Sequence, residues 1–230
     1  MKRIAAILLL CCTLFPVWSA QAEHVSPHKA QERVTDATDV MKTIMDTPDK
    51  GIPRALLRRA AAIAVFPGVV KAGFVLGGKY GRGVILRHDK QTNKWSPPAF
   101  FSIGAGSFGW QFGAQSTDLV LVIVSEKGLR SLIKQEFTLG GDASVAAGPV
   151  GRKAEANVDA GFKSAIYSYS RSRGLFVGIS LEGAKINSLV DYNRAYYGKA
   201  LSASDILMTG KAMAPKSALT LMMNLRRYAE

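Results

Sequence analysis

The chain has little of the side-chain chemistry on which many enzymes depend. Its 230 residues include two cysteines, Cys11 and Cys12, and three histidines. Both cysteines lie in an N-terminal segment that we expect to be removed. The mature protein would then have no thiol for a disulfide, a metal site or a nucleophile. Packing alone is expected to hold the fold.

The first 22 residues have the pattern of an export signal. Lys2 and Arg3 precede an apolar run, IAAILLLCCTLF, that is too short to span a bilayer comfortably. Ala20 and Ala22 form a small-x-small cleavage site. We therefore expect a signal peptide at 1–22, an N-terminal helical segment at 23–50 and the main domain at 51–230. The protein would be exported, and periplasmic or peripherally associated with the envelope.

Catalytic motifs are also absent from the sequence. It contains no H-E-x-x-H, no G-x-S-x-G and no paired-histidine spacing. His88 stands beside Asp89 in a polar stretch, which predicts a solvated surface histidine. We expect no catalytic residues, no metal and no cofactor, and therefore not an enzyme.

One glycine-rich stretch, SIGAGSFGWQFGAQ at 102–115, raises the question of a dinucleotide. Gly104, Gly106 and Gly109 have the spacing G-x-G-x-x-G. A dinucleotide-binding turn must lead into a helix whose N-terminus faces the pyrophosphate. Here the following residues alternate like a strand, so we interpret the glycines as part of a sharply bending strand.

Hydrophobic periodicity predicts helices at both ends of the chain and strands between them. A capped helix is expected at 26–46, and Leu119–Val124 is apolar throughout, as in a strand covered on both faces. Lys79–Gly83 is interpreted as a hairpin turn. Further strands are predicted at 152–161 and 174–183, followed by C-terminal helices that begin at Ile186. The fold class is α+β, a single domain with a glycine-rich antiparallel β core, sheet or barrel-like, flanked by N- and C-terminal helices.

The chain has a strong excess of positive charge, with 30 basic and 17 acidic residues and a formal net charge of +13. Such an excess favours anionic partners. Residues 52–62 combine an apolar side with Arg54, Arg58 and Arg59, and a basic amphipathic helix of this kind either caps a core or lies on a membrane. Nucleic acid is not expected, because the basic residues are spread along the chain.

Several ordered motifs resemble the SYLF domain, a lipid-binding and actin-regulating module. They span roughly Ile52 to Arg227, in the family's order. The segments are IPRALLRRAAAIAVFPGVVKAGFVLGGKYGRGVIL, WSPPAFFSIGAGSFGWQFGAQSTDLVLVIVS, LGGDASVAAGPVGR, YSYSRSRGLFVGISLEG and YYG. The chain is identified from them as a member of the family, and the signal-like segment at 1–22 leads us to expect a bacterial, exported one.

The resemblance implies binding rather than catalysis. Eukaryotic members bind phosphoinositide-rich membranes through a basic segment on the N-terminal side of the domain, and some bind actin. Arg54, Arg58 and Arg59 would take the lipid-contact role here. Lys71, Lys79 and Arg82 are either auxiliary lipid contacts or solvated turn residues. In a bacterial periplasm, phosphatidylglycerol, cardiolipin or another anionic component would replace phosphoinositide, and actin is not an expected partner.

Two other functions stay open at this point. The protein could be an envelope scaffold whose basic surface binds a protein or an acidic polymer. It could also be a hydrolase or a binder of a small ligand, with a pocket among aromatic residues. Those residues are Phe100, Phe101, Phe108, Trp110 and Phe112.

Overall fold

The computed structural model describes residues 25–47, 51–109, 115–134, 137–150 and 163–230. The described helices are α1 (Pro27–Met45), α2 (Arg54–Arg59), α3 (Glu126–Leu132), α4 (Val190–Tyr197), α5 (Ala203–Leu207) and α6 (Lys216–Tyr228). The described strands are β1 (Ala62–Asp89), β2 (Lys94–Trp95), β3 (Ala99–Gly109), β4 (Gln115–Ile123), β5 (Phe137–Thr138), β6 (Val145–Ala147), β7 (Ile166–Ser172), β8 (Leu175–Phe176) and β9 (Lys185–Ser188).

Strand β1 reverses direction and supplies both central positions of the sheet. Its 28 residues would span about 90 Å if straight. Instead, the His88 amide donates to the Ala61 carbonyl at 2.9 Å, so the two ends of β1 are adjacent. The first half pairs with β4 over 62–71, and the second half pairs with β3 over 75–85. The reversal therefore falls between 71 and 75.

The sheet is curled, and its two edges lie close together in the chain. The strand order is β5-β9-β3-β1-β4-β7-β6, with β2 beside β1 and β8 beside β7. The edge strands β5 and β6 are separated by only the residues 139–144. All described pairings are antiparallel except β6 with β7 and an isolated bridge between Leu139 and Ala143. The predicted α+β fold with terminal helices is confirmed, and its β core is a mixed, curled sheet.

Each face of the sheet carries its own hydrophobic core. The helical face packs against α1, α2, α4 and α6, with Val65, Val84 and Phe100 fully buried there. We call the opposite side of the sheet the inner face, and α3 and α5 cover part of it. It buries residues of the central strand β1, such as Phe66, and of the edge strand β5, such as Phe137.

Strand β4 is covered on both faces, as predicted. Leu121 belongs to the inner core and Val122 to the helical one, and both are fully buried. Helix α1 also forms as predicted. The Ser26 hydroxyl accepts from the Lys29 amide at 3.2 Å, and one side of the helix packs into the helical core.

The glycine motif lies within a strand. Gly104 and Gly106 belong to β3, where they pair with Tyr80 and Gly78. The interpretation of G-x-G-x-x-G as a strand feature is therefore confirmed.

Three sequence predictions about secondary structure were wrong. Residues Lys79–Gly83 do not form the turn; they pair with β3 inside β1, and the reversal occurs several residues earlier. The strand predicted at 174–183 is limited to Leu175–Phe176. Residues 186–188 belong to β9 rather than to a helix, because this segment pairs with β3. The predicted strand at 152–161 and the signal peptide lie outside the described residues.

Among the described residues, no helix has the length and apolar character needed to cross a bilayer.

The reversal of β1 predicts a strict requirement for glycine at position 83. A Cβ there would lie 2.0 Å from the Val65 carbonyl oxygen and 2.8 Å from the Phe66 Cα. The opposite half of the strand has a register shift between Phe66 and Val69, a β-bulge that includes Gly68 at φ +60°. We expect Gly83→Ala to lower the free energy of unfolding by about 3 kcal/mol or more, measured by urea denaturation.

Gly106→Ala is the matched control, since a Cβ at this strand glycine meets nothing within 4 Å. Its stability should stay within about 1 kcal/mol of the wild type. Equal stability of the two variants would contradict the close approach at Gly83.

Candidate functional site

The three arginines predicted to contact lipid lie on helix α2. Arg54, Arg58 and Arg59 are all exposed. The opposite side of the helix is buried, with Leu56 and Leu57 fully inaccessible in the helical core. The sequence prediction of a basic amphipathic segment is confirmed. Its apolar side is already used in packing, so this helix presents charge rather than apolar surface.

Helix α2 lies against the C-terminal end of α6, more than 170 residues away in the chain. The Arg54 Nη1 donates to the Arg227 carbonyl oxygen at 3.4 Å. The Arg58 Nη1 donates to the main-chain oxygen of Glu230, also at 3.4 Å. Carbonyls at a helix C-terminus carry partial negative charge, which favours guanidinium groups at this position.

Helix α6 adds two further arginines to the same surface. Arg226 and Arg227 are exposed in its last turn. We call Arg54, Arg58, Arg226 and Arg227 together the arginine surface; Arg59 ends α2 beside it. Sequence reasoning missed Arg226 and Arg227, although an Arg-Arg pair in the last turn of a predicted helix was an available signal.

Two acidic groups lie near the arginine surface. The Glu230 carboxylate is 3.7 Å from the Arg226 Nε, with both side chains about three-fifths exposed. Asp46 follows the last residue of α1, and its charge affects the hydroxyl of Tyr228, the last residue of α6. Burial raises the pKa of the Tyr228 hydroxyl and the charge of Asp46 raises it further, whereas Arg227 and Arg54 lower it. The ends of α1, α2 and α6 thus meet at this place.

Lys71 and Lys79 lie at a different site, on the rim of a cavity of about 330 Å³. The Lys79 Nζ donates to the Ser180 carbonyl at 2.8 Å. Partial burial lowers the pKa of Lys79, and the charge of Lys71 lowers it further. Gln115 and Thr117 contribute polar groups to the cavity wall. Lys79 is therefore a positioned strand residue rather than the solvated turn residue of the alternative interpretation.

Arg82 lies on the helical face, in contact with two tyrosines. Its Nε donates to the Tyr80 hydroxyl at 3.0 Å and its Nη1 to the Tyr192 hydroxyl at 3.3 Å. The guanidinium carbon is 5.4 Å and 5.5 Å from the two ring centroids. Both distances are short enough for cation–π interactions, and the contact with Tyr192 connects β1 to α4. The six predicted residues thus occupy three places: the three arginines of α2 share one, Lys71 and Lys79 share a second, and Arg82 lies at a third.

The prediction for His88 was wrong. The side chain is 3% exposed and stacks on Trp95, with ring centroids 4.4 Å apart. Its Nδ1 lies 3.1 Å from the Ala60 carbonyl oxygen, and its Nε2 lies 2.9 Å from the Asn93 Oδ1. The imidazole therefore links the end of α2 to the turn after β1, because a buried ring needs polar partners at both nitrogens.

Phe100 and Phe101 do not form the aromatic pocket that the sequence left open as an alternative. Phe100 and Phe101 are fully buried, one in each core. Trp110 and Phe112 lie outside the described residues, as does the side chain of Phe108. The described part of the chain also contains no group of three or more histidine, cysteine, aspartate or glutamate side chains that could hold a metal ion.

Comparison with known proteins identifies the family. Residues 104–228 match the family described as "Ysc84: Las17-binding protein actin regulator". Protein YSC84 of Saccharomyces cerevisiae is 39% identical over 175 residues, which are 74% of this chain and 36% of that protein. SH3 domain-containing YSC84-like protein 1 of Rattus norvegicus is 34% identical over 203 residues, 88% of this chain and 58% of that protein.

A third relative, LAS seventeen-binding protein 3 of Saccharomyces cerevisiae, is 38% identical over 172 residues, 73% of this chain and 36% of that protein. The chain thus spans between 36% and 58% of the length of these three relatives. The SYLF resemblance is confirmed, and the chain belongs to the Ysc84 (SYLF) family.

Proposed function

We propose that this protein is a non-enzymatic module that binds anionic phospholipid membranes peripherally through the arginine surface. One observation carries the proposal: two arginines of α2 and two of α6 converge at one exposed end of the molecule. The anionic groups of a membrane surface would supply the phosphates that guanidinium groups bind well.

The expected strength of this binding follows from the charges. Each basic residue near an anionic surface contributes on the order of 1 kcal/mol, so four or five arginines support reversible attachment. Because all of them are exposed, the attraction would be screened by salt. The net charge of +13 adds a general attraction toward such surfaces.

We further propose that the protein acts after export, in the periplasm or at the envelope. This part of the proposal depends on the signal-like sequence at 1–22. The ligand chemistry would then be that of phosphatidylglycerol or cardiolipin, with phosphoinositide as the eukaryotic counterpart.

A second candidate function is binding to a protein partner. The family's description refers to Las17 binding and actin regulation, and the name of one relative refers to binding of Las seventeen. The same arginine surface would suit an acidic protein face or an acidic envelope polymer. Actin as the partner of this chain is disfavoured only by the proposed compartment, and that exclusion stays a prediction.

The lipid proposal is tested by sedimenting the purified protein with vesicles. We expect binding to phosphatidylcholine vesicles that contain phosphatidylglycerol, cardiolipin or phosphoinositide, none to phosphatidylcholine alone, and weaker binding as salt is raised. The variant Arg54→Glu, Arg58→Glu, Arg59→Glu should bind at least about a hundredfold more weakly at low salt, since three attractive charges become repulsive.

A charge-matched control separates the site from net charge. Lys127→Glu, Arg130→Glu, Lys199→Glu makes the same change at exposed positions in α3 and after α4. It should lose far less affinity. Equal losses in the two variants would remove the assignment to α2, and failure of the wild type to bind any vesicle would leave the protein-partner function.

The arginine contacts to α6 should contribute little to stability. Both side chains are exposed, and their 3.4 Å hydrogen bonds are long. We expect Arg54→Gln, Arg58→Gln to lower the free energy of unfolding by less than about 1 kcal/mol, measured by urea denaturation with circular dichroism. A loss of about 2 kcal/mol or more would instead make these arginines structural clamps between α2 and α6.

A further inference from the structure

The outer side of α6 exposes apolar side chains that the fold does not use. Leu219 is 43% exposed and Met223 is 62% exposed, one helical turn apart. Met213, in the segment just before α6, is 89% exposed. The inner side of the same helix packs fully, with Leu221 and Leu225 inaccessible in the helical core. We call Leu219 and Met223 the apolar row; Met213 precedes it, on the other side of Lys216 in the chain.

Basic residues lie at both ends of this row. Lys216 is exposed at the start of α6, and Arg226 and Arg227 are exposed in its last turn. The sequence KSALTLMMNLRRY of the helix contains no acidic residue. Because residues three and four apart share one side of a helix, Leu219, Met223 and Arg226 or Arg227 follow one another along the exposed side. The apolar row thus runs directly into the arginine surface.

We propose that the outer side of α6 is the part of this protein that enters the membrane. The apolar row would insert at the boundary between lipid headgroups and acyl chains, with Lys216 and the arginine surface on the phosphates around it. The inference rests on the proposed lipid-binding function and deepens it. It assigns insertion to α6, whereas the sequence had offered α2 as the membrane helix.

Charge and shape favour a bilayer over a protein as the occupant. An apolar row flanked by cations, with no acidic residue on the helix, is typical of helices that lie at an anionic lipid interface. Long basic side chains can lie along such a row and keep their charge among the headgroups. The row is also the convex outer side of a helix, which suits a deformable lipid surface better than a rigid partner that would need a matching groove.

Helix α6 is held by the fold, so insertion would require no unfolding. Its inner side is packed, and near its start the Ser217 and Tyr196 hydroxyls are hydrogen-bonded at 2.8 Å. The side chains of the row are flexible leucine and methionine, which adapt to irregular surroundings. In α2, by contrast, Leu56 and Leu57 would have to leave the core before they could reach lipid.

A fluorescent reporter at position 223 tests the inference in the full chain. Met223→Cys would be combined with Cys11→Ser and Cys12→Ser, which leaves a single thiol for an environment-sensitive probe. With vesicles containing phosphatidylglycerol, the probe emission should shift to shorter wavelength, and nitroxide-labelled acyl chains should quench it. The matched control is Leu175→Cys in the same background, at an apolar residue that is 67% exposed in β8. Its probe should stay in water.

Two variants without the fluorescent probe measure how much the apolar row contributes to affinity for vesicles. Leu219→Ser, Met223→Ser should weaken vesicle binding about tenfold and leave its dependence on salt unchanged, since no charge is altered. Leu175→Ser should have no effect. The arginine variants of α2 should instead reduce the salt dependence, so the two contributions are distinguishable.

Each result decides a different part of the proposal. Salt-sensitive vesicle binding with an aqueous probe at 223 and full affinity in the double serine variant would overturn insertion by α6 and keep the proposed function. Absence of vesicle binding in the wild type would overturn both. A probe shift at 223 and at 175 alike would point to unfolding on the vesicle and would also contradict insertion of a folded α6.

Discussion

The two halves of β1 run antiparallel in close contact, and this contact fixes the positions of the other strands. The first half recruits β4 and the second half recruits β3, so every other strand is placed relative to this reversal. The contact is tight at Gly83, where the opposite backbone leaves no room for a side chain. Because both halves are central, both faces of the sheet must be covered, and the chain provides two hydrophobic cores for that purpose.

Packing in the helical core also brings basic residues of separate helices together. Helices α1, α2 and α6 pack on one face of the sheet, and α2 meets the end of α6 through its arginines. An anionic ligand would therefore meet a surface assembled from both ends of the chain. Each of the two helices, α2 and α6, supplies only two of its four arginines. The exposed apolar row of α6 continues from it, which places electrostatic and apolar contacts side by side on one helix.

Much of the fold was predictable because the spacing of apolar residues along the sequence indicates which side of each helix or strand is buried. Residues 119–123 of β4 are all apolar because each face of the strand meets a core there, and the spacing of apolar residues in α1 marks its buried side. The position of the reversal in β1 was not predictable from turn residues. Lys79–Gly83 contains two glycines of the kind found in turns, yet one of them is needed for close packing within the sheet. Glycine has both uses, and only the register distinguishes them.

The family, the α+β class and the basic character of α2 could be predicted without the structure, because they depend on motif order, periodicity and charge. Which charged residues lie together could be seen only in the folded chain. Folding joined Arg54 and Arg58 to the end of α6, separated them from Lys71, Lys79 and Arg82, and buried His88 against Trp95. The physical reason is that exposure and proximity depend on contacts between residues far apart in the chain. Local pattern carries no information about which distant helix end a guanidinium will meet.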